Sequence, residues 1–125
     1  MQRLLVHQFR SYARAELELA PASANAPAGA SAALPVVLTG PNGAGKTNLL
    51  EAISFLAPGR GLRGAKLGEV DRVSRQQGDD PEGAPWAVAA SVMTPDGPRD
   101  LGSGRDPASG GGNGRERRLV KVDGV

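Results

Sequence analysis

Eight consecutive residues, Gly40, Pro41, Asn42, Gly43, Ala44, Gly45, Lys46 and Thr47, satisfy every fixed position of the pattern G-x-x-x-x-G-K-[ST]. The chemistry open to such a run is the binding of a triphosphate chain. Phosphate oxygens need several converging donors. A loop of small residues lets the backbone N–H groups from Asn42 to Thr47 turn inward without Cβ clashes. Lys46 is expected to reach the β- and γ-phosphates, and the Thr47 hydroxyl to ligate Mg²⁺. ATP with Mg²⁺ is the expected cofactor, although the loop reads phosphates and not the base.

Such a loop is expected between a strand and a helix. Residues 34–39 (LPVVLT) are a continuous apolar, β-branched run, which predicts a central strand buried on both faces. On the other side, Lys46 to Ala57 places Leu49, Leu50, Ile53 and Leu56 at helical spacing, with Phe55 beside them, and Pro58-Gly59 stops the pattern. A helix starting at Lys46 brings its positive dipole end to the phosphates. Further out, Leu4 to Phe9 and the alternating Ala15, Leu17 and Leu19 predict a pair of strands. Trp86 to Thr94 predicts a strand closed by Pro95-Asp96-Gly97, and Arg117 to Asp123 an exposed strand ending on the hairpin signal Asp123-Gly124. Ending just after that signal, the chain reads as truncated. Leu62 to Arg75 is ambiguous, because its glycines weaken a helical face of Leu62, Leu67, Val70 and Val73. Residues 21–35, rich in Ala, Ser and Pro, and the glycine-rich residues 104–114 read as loops.

With 125 residues the chain is one domain at most, and its 18 glycines and 10 prolines predict long loops. It has no cysteine, which excludes disulfides and thiolate metal sites and suits a reducing compartment. No apolar run approaches the roughly 18 residues of a membrane span. The expectation is a soluble, cytoplasmic protein with no membrane partner. The net charge of +2 is weak, but two stretches concentrate it. Arg60, Arg63, Lys66, Arg72 and Arg75 face Glu69 and Asp71, and Arg115, Arg117, Arg118 and Lys121 face Glu116. Each is either a solvated face or a phosphate-binding surface.

The run GPNGAGKTNLLEAISFL, with FRSY near the start and PGRGLR after the helix, resembles the N-terminal part of the RecF family. These are bacterial recombination-mediator and DNA-repair proteins with an ABC-type ATPase head related to the SMC family. The resemblance reaches from LLVHQFRSY to RRLVKVDG, with residues 21–35 and 76–114 poorly matched. It implies an α/β fold, the N-terminal lobe of an ABC-type P-loop head with mixed or antiparallel strands, incomplete over residues 1–125. It also implies that Arg10, Ser11 and Tyr12 lie near the nucleotide, so Arg10 joins the candidate binding residues; Ser11 stands where the family more usually has Asn. Tyr12 precedes Gly40 by 28 positions, close to where transporter-type ABC ATPases carry an adenine-stacking aromatic. The implied function is ATP-binding DNA replication, repair and recombination mediation, linked to DNA damage and the SOS response. The implied partners are single-stranded, gapped or double-stranded DNA, a second head in an ATP-dependent homodimer, and recombination-mediator proteins.

ABC-type hydrolysis also needs an acidic strand end and a partner's L-S-x-G-Q-like signature. Neither occurs in this sequence: the acidic pair Asp79-Asp80 follows Gln76-Gln77-Gly78 in a turn. Those glutamines are read as loop residues rather than a Q-loop. Whereas the whole protein is expected to be a weak DNA-dependent ATPase, this chain alone is expected to have little or no turnover. The alternatives are another SMC-like ABC ATPase, a P-loop metabolite or nucleotide kinase, and a transporter ATPase subunit.

Overall fold

A computed structural model of the chain describes residues 1–19, 35–72, 84–109 and 115–125. The expectations for residues 21–34, for Gln76, Gln77, Asp79 and Asp80, and for residues 110–114 fall outside these. Among the described residues five strands form one antiparallel sheet: β1 (Arg3–Phe9), β2 (Tyr12–Glu18), β3 (Ala87–Thr94), β4 (Gly97–Arg105) and β5 (Arg118–Val122), in the order β2-β1-β3-β4-β5. The β1–β2 hairpin runs from Arg3 opposite Glu18 to Phe9 opposite Tyr12, as the alternation predicts. Its tip turns through Arg10, which holds a left-handed φ of 51°.

One α-helix, α1 (Lys46–Ser54), lies on one face of this sheet, and a short 3₁₀ turn covers Leu67–Val70. The core is Leu4, Val6 and Phe9 from β1, Val88 and Ala90 from β3, Leu49, Ala52 and Phe55 from the helix region, Val70 and Trp86. Three of the four aromatic residues meet there: Phe9 lies edge-on to Phe55 at 5.8 Å and to Trp86 at 5.7 Å, and Phe55 and Trp86 are 4.7 Å apart. Edge-to-face contact suits the ring quadrupoles, and burying each Phe side chain contributes about 1.5–3 kcal/mol.

Several expectations are corrected. Residues 35–39 are not a central strand: Val36 is 59% and Val37 77% exposed. A β-branched run becomes a buried strand only beside a ladder partner. Both edges of β1 are taken by β2 and β3, and the described residues pair antiparallel throughout, with no parallel neighbour for residues 35–39. The helix stops at Ser54, three residues early, and its buried stripe is Leu49, Glu51, Ala52 and Phe55, leaving Leu50 in solvent. Among the described residues of the ambiguous stretch, 62–72, Leu67–Val70 form a 3₁₀ turn, and Leu62 is exposed. β4 was not foreseen, and it takes in residues 104 and 105, expected to be loop. At the far end Asp123 (φ 52°) and Gly124 (φ 83°) form the predicted two-residue turn, with Val122 and Val125 exchanging backbone hydrogen bonds of 3.1 Å.

Candidate functional site: a phosphate loop braced by the β1–β2 hairpin

Helix α1 begins on Gly45, whose carbonyl accepts the N–H of Leu49 at 3.0 Å. No side chain caps this end and no acid sits in the first turn, so its leading N–H groups remain available to an anion. Gly45 itself is left-handed (φ 99°), and an added Cβ would fall 2.6 Å from the Tyr12 hydroxyl. Only glycine suits both the dihedral and the space. Upstream, Ala44 N–H meets the Pro41 carbonyl at 3.2 Å, while Gly40 and Gly43 also have positive φ. The ammonium of Lys46 folds back over this loop and donates to the carbonyls of Gly40 (2.6 Å) and Pro41 (2.8 Å). Its charge therefore sits over the loop rather than in bulk solvent. Asn42 and Thr47 are exposed.

The tip of the β1–β2 hairpin supports this junction. Tyr12 donates its hydroxyl to the Gly45 carbonyl at 3.1 Å, and Asn48 donates its amide to the Ser11 hydroxyl at 3.0 Å. Ser11 and Tyr12 are thus brought to the loop. Tyr12 uses its polar end on the loop backbone.

Arg10, from the same tip, turns to the flank of α1. It donates to both oxygens of Glu51, at 3.0 and 2.9 Å, and to the Glu69 carbonyl at 2.8 Å. Glu51 is fully buried, and its carboxylate pushes the Arg10 pKa further up. Arg63 lies 3.7 Å from the same carboxylate. The backbone closes this corner too: Arg10 N–H meets the Val70 carbonyl at 2.9 Å, and Arg72 N–H the Gln8 carbonyl at 2.9 Å. Asp71 continues the network, accepting Trp86 N–H at 3.1 Å and pairing with Arg105 at 2.8 Å. Sequence reasoning gave Glu51 no role. The signal was its position within the buried stripe, one residue before Ala52 and four before Phe55.

The two basic stretches are only partly solvated. Arg118 closes the C-terminal end of α1, donating to the carbonyls of Phe55, Ala57 (3.0 Å) and Gly59 (2.6 Å) and to the Ser103 hydroxyl (2.7 Å), with its guanidinium 5.5 Å from the centre of the Phe55 ring. Burial lowers its pKa, and the negative end of the helix dipole favours its charge. Arg60, Lys66, Arg115, Arg117 and Lys121 are exposed.

Among the described residues no helix is long and apolar enough to cross a membrane, and no group of His, Asp and Glu is arranged to hold a metal. A family model described as "AAA domain, putative AbiEii toxin, Type IV TA system" matches residues 36–85, which include the phosphate loop and α1. Over 97% of its length the chain is 47% identical to DNA replication and repair protein RecF of Caulobacter sp. (strain K31), covering 27% of that protein. To the proteins of the same name from Mesorhizobium japonicum and Rhizobium meliloti it is 40% identical over 100% and 95% of its length, covering 27% and 26% of theirs. The chain spans about a quarter of the length of these relatives.

Proposed function

We propose that this chain, a member of the RecF family of DNA replication and repair proteins, binds Mg²⁺-ATP on residues Gly40 to Thr47 and contributes that site to a DNA-repair ATPase. The observation that carries this reading is the junction at Gly45, where an uncapped helix N-terminus, a left-handed glycine and the Lys46 ammonium converge on one loop. The donor set fits a triphosphate. Backbone N–H groups of Asn42 to Thr47 would face the phosphate oxygens. Lys46 would exchange the Gly40 and Pro41 carbonyls for phosphate oxygens, a charge-assisted contact stronger than the one it leaves. The exposed Thr47 hydroxyl would meet the metal ion. When bound, Mg²⁺ offsets charge on the phosphates.

Arg10 has its guanidinium committed to Glu51 and to the Glu69 carbonyl, so its part in nucleotide binding is to hold the hairpin tip, and with it Ser11 and Tyr12, against the loop. Isothermal titration with a non-hydrolysable ATP analogue tests the reading. The chain should bind in the presence of Mg²⁺; Lys46→Ala should lose binding, and Thr47→Ala should lose its dependence on Mg²⁺. Binding unchanged in Lys46→Ala would overturn the assignment.

Positioning and charge stabilisation of a phosphoryl transfer need groups beyond this loop. The chain is therefore proposed to bind without turnover, and its phosphate release should not exceed that of Lys46→Ala. For the whole protein the reading extends to cytoplasmic, ATP-driven pairing of two heads on DNA, with hydrolysis releasing them and recombination-mediator proteins as partners.

A further inference from the structure

The fold joins the two basic stretches that lie about fifty residues apart in sequence. Arg118 grips the Gly59 carbonyl at 2.6 Å, which sets Arg60 beside the start of β5. Two residues earlier, Glu116 accepts the N–H of Gly68 at 2.9 Å, which brings the Lys66 turn to the same end. The first contact runs from β5, the edge strand of the sheet, and the second from the residues that lead into it. That edge and its adjoining loop therefore carry the exposed cations Arg60, Lys66, Arg115, Arg117 and Lys121.

The acids at this edge are engaged. Glu116 is tied to the Gly68 N–H, and Asp123 accepts from Arg99 (2.6 Å) and from the Asp100 N–H (2.9 Å). Arg118 beneath them adds a charge whose partners are neutral carbonyls and a hydroxyl. The opposite edge, β2, is balanced: Glu16 and Glu18 stand with Arg14 and with Arg3 of β1, both paired to Glu16. The excess of positive charge therefore lies at the β5 edge. A polyanion is drawn to that side.

We propose that the β5 edge, together with the loop from Gly59 to Lys66, takes the sugar–phosphate backbone of duplex DNA. The inference rests on the DNA reading above and adds which surface makes the contact. Exposed arginines and lysines neutralising phosphates release counterions, so each contact contributes about one unit to the slope of log affinity against log salt. Such contacts give register and affinity without reading sequence.

Fluorescence anisotropy of a labelled duplex, titrated with the chain across a salt series, tests the proposal. Arg60→Ala and Arg117→Ala should each lower the slope by about one unit and the double variant by about two, while Arg14→Ala on the β2 edge leaves it unchanged. All three side chains are exposed, so folding is retained, checked by the thermal midpoint. A double variant with the parent's slope, or an equal loss in Arg14→Ala, would overturn the surface alone. No duplex binding by the parent chain would overturn the DNA reading with it, and leave nucleotide binding, measured by titration, standing.

Discussion

Arg10 and Glu51, 41 positions apart, are joined by two hydrogen bonds of 3.0 and 2.9 Å, with the carboxylate fully buried against the sheet. Burying a carboxylate is unfavourable unless its oxygens are matched, and here a guanidinium fork matches both. Removing Arg10 leaves the buried carboxylate with the more distant Arg63, at 3.7 Å. Arg10→Ala is therefore expected to cost about 3 kcal/mol, the low end for a broken buried pair. Arg10→Ala combined with Glu51→Leu should recover much of that loss, and urea unfolding of the four proteins of the cycle checks it. A double variant that loses the sum of the two single losses would show that the pair is not coupled.

The Tyr12 hydroxyl on the Gly45 carbonyl links the hairpin tip to the phosphate loop. Gly45→Ala meets two obstacles, a φ of 99° and a Cβ only 2.6 Å from the Tyr12 oxygen. It should abolish nucleotide binding. Adding Tyr12→Ala opens the space but leaves the dihedral strained, so the double variant should regain only part of the affinity. Tyr12→Phe alone removes one hydrogen bond and should destabilise by about 0.5–1.5 kcal/mol. Titration with an ATP analogue beside thermal melts separates the two effects.

What the sequence disclosed follows from the range of the interactions involved. The start of α1 after the Gly40–Gly45 loop and the β1–β2 hairpin rest on local spacing, and both were legible. The run at residues 35–39 has the composition of a buried strand, but a strand is completed by neighbours that its own residues do not name. β4 was hidden by Gly97, Gly102 and Gly104, residues that weaken any strand pattern. Gly104 has a reason to be there: a Cβ would stand 2.9 Å from the Trp86 carbonyl, so the glycine lets the two strands approach. The roles of Glu51 and Arg118 were not legible because their partners, in the hairpin tip and at the end of α1, are 41 to 63 residues away.

Two carboxylates set an acid limb for stability. Glu16 is held below the usual carboxylate range by Arg3 and then Arg14, and Asp123 by the Asp100 N–H and then Arg99. In each the folded pKa lies below the unfolded one, so the unfolded chain takes up protons first as pH falls. The contribution is complete above the unfolded pKa, about 4, and is lost as pH drops through the folded value. Stability should stay level from neutrality to about pH 5 and then decline. Glu16→Gln with Asp123→Asn should flatten that decline, since Asn also tolerates the left-handed φ of 52° at position 123. Urea midpoints measured between pH 3 and 7 give the comparison, and an identical acid limb in the double variant would rule these two groups out as its source.

Arg118 binds β5 to the end of α1 through geometry as much as charge. Its acceptors, the carbonyls of Phe55, Ala57 and Gly59 and the Ser103 hydroxyl, lie around a planar fork that also packs near the Phe55 ring. A lysine keeps the charge but offers one compact ammonium, which cannot serve acceptors spread along a turn. Arg118→Lys should therefore lose most of what Arg118→Ala loses, with each forfeited charged hydrogen bond contributing about 1.5–3 kcal/mol before water replaces it. The loss should also be local. Hydrogen exchange should show faster opening of the backbone from Phe55 to Gly61, while β1 and β2, at the opposite side of the sheet, keep their protection. Full stability in Arg118→Lys would show that charge at the helix end is sufficient, and that the fork is not what holds β5 to α1.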